Sequence, residues 1–342
     1  MVNDSTNSSV WIYQPNASAP NIFMGCFFPS VTFHTWQIKR KSQKMTLLIP
    51  CACMLMVVGF AIREAASYYI GNLDLLISCT VFLLSGPPIF IAANFFILTR
   101  TIYYIPWLSP IHPGRILIPS LAMTLVIETL VTVGAAQATD TRIALYYRKN
   151  GAALVKTSLI LQVFTILALV AIISIWQQRV KRAALYKREI RFMVRILYVS
   201  SALLMVQCIY RLVEYFSNSL AWVNTHEVFF YVFGALPIYL NTATLSWYHP
   251  SHYLPANPKV FLATDGITEV EGPGWWLLGC DRRSLTAQLL DPLDLAPRFI
   301  HSNEKGLYAF WNDEPTPEQV VSTAISQMSR EVRLKAQTLF QR

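Results

Sequence analysis

The sequence predicts an all-α integral membrane protein, a bundle of seven transmembrane helices with the N-terminus outside and the C-terminus cytoplasmic. Three observations predict it. Only 14% of the 342 residues are charged and 54% are hydrophobic, whereas a soluble domain carries about 25% charged residues. The apolar residues gather into runs near the roughly 20 residues that a helix needs to cross a bilayer. The basic residues favour alternate ends of those runs, as the positive-inside rule requires.

The elements follow in order. Residues 1–19 form a polar tail holding three Asn-x-Ser glycosylation acceptors, at Asn3, Asn7 and Asn16. Residues 20–250 form the membrane domain, with spans expected near 20–37, 45–64, 74–98, 116–138, 153–176, 192–216 and 227–248. The first run, "NIFMGCFFPSVTFHTW", is short and contains Pro29, yet carries no formal charge. A polar tail precedes it in place of a signal peptide, so the first helix is expected to direct its own insertion. The inner loops 38–44, 99–115 and 177–191 hold twelve Lys and Arg, whereas the outer loops hold Arg142, Arg148 and Lys149. Residues 251–342 read as a cytoplasmic tail, irregular up to an amphipathic helix near 317–340. That helix would start at Thr316-Pro317-Glu318 and carry Val321, Ile325, Met328, Val332, Ala336 and Leu339 on one face. It suits a leaflet surface or a cytoplasmic partner.

Charge and motifs exclude several classes. Residues 1–250 hold 19 Lys and Arg against 8 Asp and Glu, so the basic excess belongs to the membrane part and not to a nucleic-acid surface. No Gly-x-x-x-x-Gly-Lys-Ser/Thr motif is present, so the chain alone does not run on ATP. The six cysteines show no metal-site spacing, and no His-Glu-x-x-His occurs. No cofactor and no catalytic or metal site is expected, and the protein is not read as an enzyme.

The polar residues inside the apolar runs mark the candidate site. Arg211 and Glu214 lie three residues apart in "CIYRLVEYF", on one helix face and within pairing reach. The topology gathers Arg63, Glu64, Asp74, Lys156 and Glu227 with them in the outer third of the bundle. Such a cluster either fastens helices two, six and seven or lines an outward vestibule that meets a polar headgroup. Glu128 sits alone near the middle of the fourth run. A carboxyl at that depth carries a proton or faces a partner, which suits proton coupling, amine binding or a hydrogen bond to a neighbouring helix. Asn94, Gln162 and Gln207 are its candidate partners. Gly86, Pro87 and Pro88 interrupt the third run and are expected to bend it and free carbonyls.

These residues resemble a known family. The stretch "LLSGPPIFIAANFFILTRTI", Gln162, "YRLVEY", "HEVFFYVFGALP" and the His249-Pro250 pair are similar to those of the fungal RTA-like seven-span proteins, the lipid-translocating exporter family. The resemblance covers roughly residues 12–252, and Arg211, Glu214, Glu227 and Tyr231 are its most specific part. It implies an N-out protein of the plasma membrane, or of another secretory or vacuolar membrane. It also implies export of sphingoid long-chain bases or resistance to toxic amphiphiles, with membrane lipids or amphiphilic small molecules as partners. Three positions depart from the family pattern. Thr124 and Val131 flank Glu128 where an Asp and a Gln are common, and Gly234 stands where an Asp is common. The same topology also suits a seven-span receptor, although no Asp/Glu-Arg-Tyr element ends the third span. An intramembrane metal-dependent lipid hydrolase lacks its ligand set here.

Overall fold

A computed structural model describes residues 11, 13–41, 47–109, 111, 113–183, 185, 187–217, 221–248, 253–255, 257, 260–262 and 268–271. Asn3, Asn7 and the expected helix near 317–340 lie outside the described residues. Seven long helices run in sequence order: α1 (Ala19–Lys41), α2 (Leu48–Tyr68), α3 (Leu73–Tyr104), α4 (Pro113–Thr139), α5 (Leu145–Arg182), α6 (Arg188–Phe216) and α7 (Glu227–Trp247). Six of them, α2 to α7, are both long and apolar enough to span a membrane. α1 has the length, at 23 residues, without counting among the six.

Each helix packs on the next, and α1 returns to α7, so the bundle closes. α3 also touches α5 and α6, which makes it the central rod. Its burial shows this: from Leu83 to Tyr103 only Ile89 is less than buried. Lipid tails are as apolar as leucine, so packing and interhelical hydrogen bonds must hold such helices together. Small residues supply the packing. A Cβ on Gly134 would stand 2.9 Å from the Gly151 carbonyl oxygen, and one on Gly151 would stand 2.6 Å from the Ala138 nitrogen. α4 and α5 therefore touch backbone to backbone at the end where the chain enters α1, the expected outer end.

Polar residues supply the hydrogen bonds. Asn94 Nδ2 donates to Ser200 Oγ at 2.7 Å, and Ser200 donates to Asn241 Oδ1. Asn94, Ser200 and Asn241 are fully buried, so one hydroxyl ties α3, α6 and α7 together. Ser200→Ala is expected to cost about 1–2 kcal/mol, because two buried amides then lose a partner. Unfolding in mixed micelles measures it, and an unchanged midpoint would show that the amides re-pair.

Three features differ from the sequence expectation. α5 runs 38 residues, about 57 Å, and so overhangs a hydrocarbon core of about 30 Å. Its ends are amphipathic rather than apolar, which hydropathy alone does not extend into the helix. α3 continues as one helix through Pro87 and Pro88, both of them buried. The tail is not wholly irregular. Val260–Leu262 (β1) and Glu269–Glu271 (β2) pair antiparallel, with Phe261 opposite Val270. This hairpin packs on the last turns of α3. The Arg100 guanidinium donates to the carbonyls of Pro255, Asn257 and Val260 at 3.0–3.3 Å, and Tyr104 donates to Glu269 at 2.8 Å.

Candidate functional site

α7 decides the site. It begins at Glu227, and six residues from Phe230 to Ala235 adopt the wider π-helical winding, a form that favours functional positions. The winding places the Phe230 ring between two buried cations. The Arg63 guanidinium lies 4.2 Å from its centroid and that of Arg211 lies 5.0 Å from it. Gly234 in the same segment faces the Tyr210 ring, where a Cβ would come within 3.3 Å of a ring carbon. A side chain at that position would require the Tyr210 ring to give by a few tenths of an ångström.

Each cation has its own carboxylate. Arg63 pairs with Glu227 at 2.8 Å and Arg211 pairs with Glu214 at 2.7 Å. Arg63 also donates to the Tyr13 hydroxyl at 2.8 Å and the Tyr231 hydroxyl at 3.3 Å, while Tyr231 donates to Glu227 at 3.0 Å. The residues before α1 close over this group. Trp11 stacks 5.0 Å from Arg63, and the Asn16 backbone N–H donates to Glu227 at 2.7 Å. Burial pushes the Tyr13 phenol above its ordinary value, and Arg63 opposes the shift. The phenol therefore stays neutral below about pH 10, and the stability gained by burying it neutral is lost as pH rises through the elevated value, because a buried phenolate is costly.

Beside the two pairs lies a cavity of about 410 Å³. Its wall combines Trp11, Tyr13, Arg63, Arg211, Glu214 and Phe230 with Leu76, Thr80 and Leu83 of α3, and Ala138 and Ala152 join it where α4 crosses α5. Glu214 is the most accessible of the four ion-pair partners: its side chain is 24% exposed, against 7% for Arg63, 9% for Arg211 and 11% for Glu227. The charges balance, and the one that an incoming group meets first is negative.

The expected residues distribute unevenly. Arg211, Glu214 and Glu227 come together, but Arg211 pairs with Glu214 and not with Glu227. Glu64 turns away and accepts from Asn21 of α1. Asp74 and Lys156 stand outside the group: Asp74 pairs with Arg142 at 2.8 Å, and Lys156 lies over the Phe216 ring. Asn94 bonds Ser200, and Gln162 is buried on α5. Glu128 meets none of its expected partners and faces Ser85 of α3. Thr124 and Val131 beside it are buried, and Thr124 donates back to Ser120. Asn16 caps α1, its Oδ1 accepting from Ser18 and Ala19. Gly86 lies against Met56. Sequence reasoning did not single out Phe230, Ser85 or the bridge through Ser200. A lone Phe or Ser in an apolar run gives no signal. Arg63 was legible as a charge near a helix end, and only the fold shows it as the hub. Among the described residues, no group of three or more His, Cys, Asp or Glu is placed to hold a metal ion.

Fold and site together define a multi-pass helical membrane protein with an ion-paired cavity at one end. A family model described as RTA1 like protein matches residues 49–257, and the chain belongs to that family. It is 31% identical over 289 residues to a lipid-translocating exporter-like protein RTA1 of Leptosphaeria maculans, covering 78% of this chain and 55% of that protein. A protein with the same name from Ajellomyces capsulatus is 27% identical over 296 residues, covering 81% of this chain and 88% of that protein. The chain thus spans about half the length of the first relative. No solved structure matches.

Proposed function

We propose that the chain is a seven-span translocator or resistance factor for amphiphilic lipids of the sphingoid long-chain-base kind, or for toxic amphiphiles. It has its N-terminus outside and its tail in the cytoplasm, and the plasma membrane is its expected site. The names of the relatives and the fungal family support lipid movement. The accessible Glu214 carboxylate in the cavity wall carries the choice of headgroup. A protonated amine entering there finds a carboxylate and aromatic faces, both of which attract cations. The apolar α3 side of the cavity suits the start of an acyl chain. Arg63 and Glu227 hold the wall, and Arg211 orients Glu214.

Glu214→Gln keeps an acceptor for Arg211 and removes the charge. It is expected to lower movement of a labelled long-chain base in reconstituted vesicles about tenfold or more, since a charged hydrogen bond contributes about 1.5–3 kcal/mol. Thr80→Trp fills the cavity while leaving every ion-pair residue in the chain, and is expected to do the same. Undiminished movement in both, at equal protein content, overturns the reading. Binding of the amphiphile without movement points to a receptor.

A further inference from the structure

Glu128 and Ser85 lie away from the outer ion pairs and meet in the membrane interior. α4 turns Leu125, which is 70% exposed, and Val126, which is 50% exposed, outward towards lipid, and buries Ile127 and Val131. Glu128 lies between these faces, half-buried at the seam with α3. Its carboxyl faces the Ser85 hydroxyl, and Oε1 is buried without a hydrogen-bond partner. The helices packed on α4 are α3 and α5. Among the described residues no charged group on either acts on Glu128, and the Ser85 hydroxyl is the polar group it meets.

The backbone at this level adds acceptors. Pro87 and Pro88 have no N–H, so the carbonyls of Leu83 and Leu84 lose their usual helical donors. Those carbonyls immediately precede Ser85. An ionised carboxylate at the middle of a bilayer costs about 2.5–3.5 kcal/mol on insertion scales. Binding one proton removes that cost and gives the carboxyl a donor.

We propose that Glu128 is a proton-binding site within the membrane span. This deepens the translocation reading, because a proton bound inside the span can couple a proton gradient to movement. Its occupancy is measurable without any movement.

The test is labelling by a lipid-soluble carbodiimide in vesicles of neutral phospholipid. A protonated carboxyl adds across the N=C=N group and rearranges to an N-acylurea, with nothing leaving, so the Glu128 peptide gains the reagent's mass. Labelling is expected at acid pH, to fall about tenfold per pH unit above its midpoint, and to vanish in Glu128→Gln. Ser85→Ala is expected to move the midpoint without abolishing labelling. Labelling that stays constant over the whole pH range in which the protein remains monodisperse would mean a permanently neutral structural acid and overturn the proposal. An unmodified Glu128 peptide at acid pH overturns it too. A Glu214→Gln protein that moves no amphiphile yet still labels at Glu128 upholds the proton site and separates it from the headgroup reading.

Discussion

Replacing Arg63 by methionine is expected to destabilise the protein by about 3–5 kcal/mol, the usual cost of leaving one member of a buried ion pair without its partner. The reason is the number of contacts that end at one guanidinium. It pairs with Glu227, donates to Tyr13 and Tyr231, and lies over Phe230 and Trp11. Without it, α2, α7 and the residues ahead of α1 lose their common partner. Arg63→Lys is expected to rescue little, since an ammonium cannot reproduce the planar fork or stack as well. Thermal inactivation followed by size-exclusion in detergent gives the midpoint, and proteolysis near Trp11 reports release of the leading residues. An Arg63→Met midpoint equal to that of the parent would remove Arg63 from its central place. The double variant Arg63→Met with Glu227→Met provides the control. A matched apolar pair often restores stability, so the double variant is expected to fold while the cavity wall loses one of its two ion pairs.

Gly151→Leu is expected to have the second largest effect, and it touches no charge. Even a single Cβ at Gly151 would meet the Ala138 nitrogen and the Gln137 Cβ, both at 2.6 Å, and the Gly134 oxygen at 2.8 Å. Backbone cannot rotate away as a side chain can, so α4 and α5 must separate. Overpacking of this kind costs about 1–3 kcal/mol, occasionally more. Separation also displaces Ala138 and Ala152, which line the cavity. Movement of the amphiphile should therefore fall together with the unfolding midpoint, although every ion pair keeps its residues. A Gly151→Leu protein with both quantities unchanged would show that the close approach of α4 and α5 is dispensable.

Much of the fold was legible because lipid imposes a simple code. Long apolar runs must become helices, since the backbone has no other way to satisfy its hydrogen bonds in hydrocarbon. The runs near 192–216 and 227–248 coincide closely with α6 and α7. The code fails where a helix leaves lipid: Leu145 to Lys149 and Gln177 to Arg182 are helical without being uniformly apolar. The pairing of Arg211 with Glu214 was legible because it is local, three residues along one helix. The pairing of Glu227 with Arg63 was not, because it depends on how α2 and α7 face each other. Glu128 stood out as a solitary charge, yet Ser85 did not. A serine that faces another helix and one that bonds its own backbone look alike in sequence.

The length of α3 has one more consequence. Its 32 residues make a rod of about 48 Å. Near one end Leu76, Thr80 and Leu83 form cavity wall, and at the other Arg100 grips the segment leading into the hairpin. Two sites that share one stiff body cannot be thermodynamically indifferent to each other if either of them shifts it. Whatever free energy an occupied cavity adds to the grip of Arg100 on the tail, a firmly held tail must return to the affinity of the cavity.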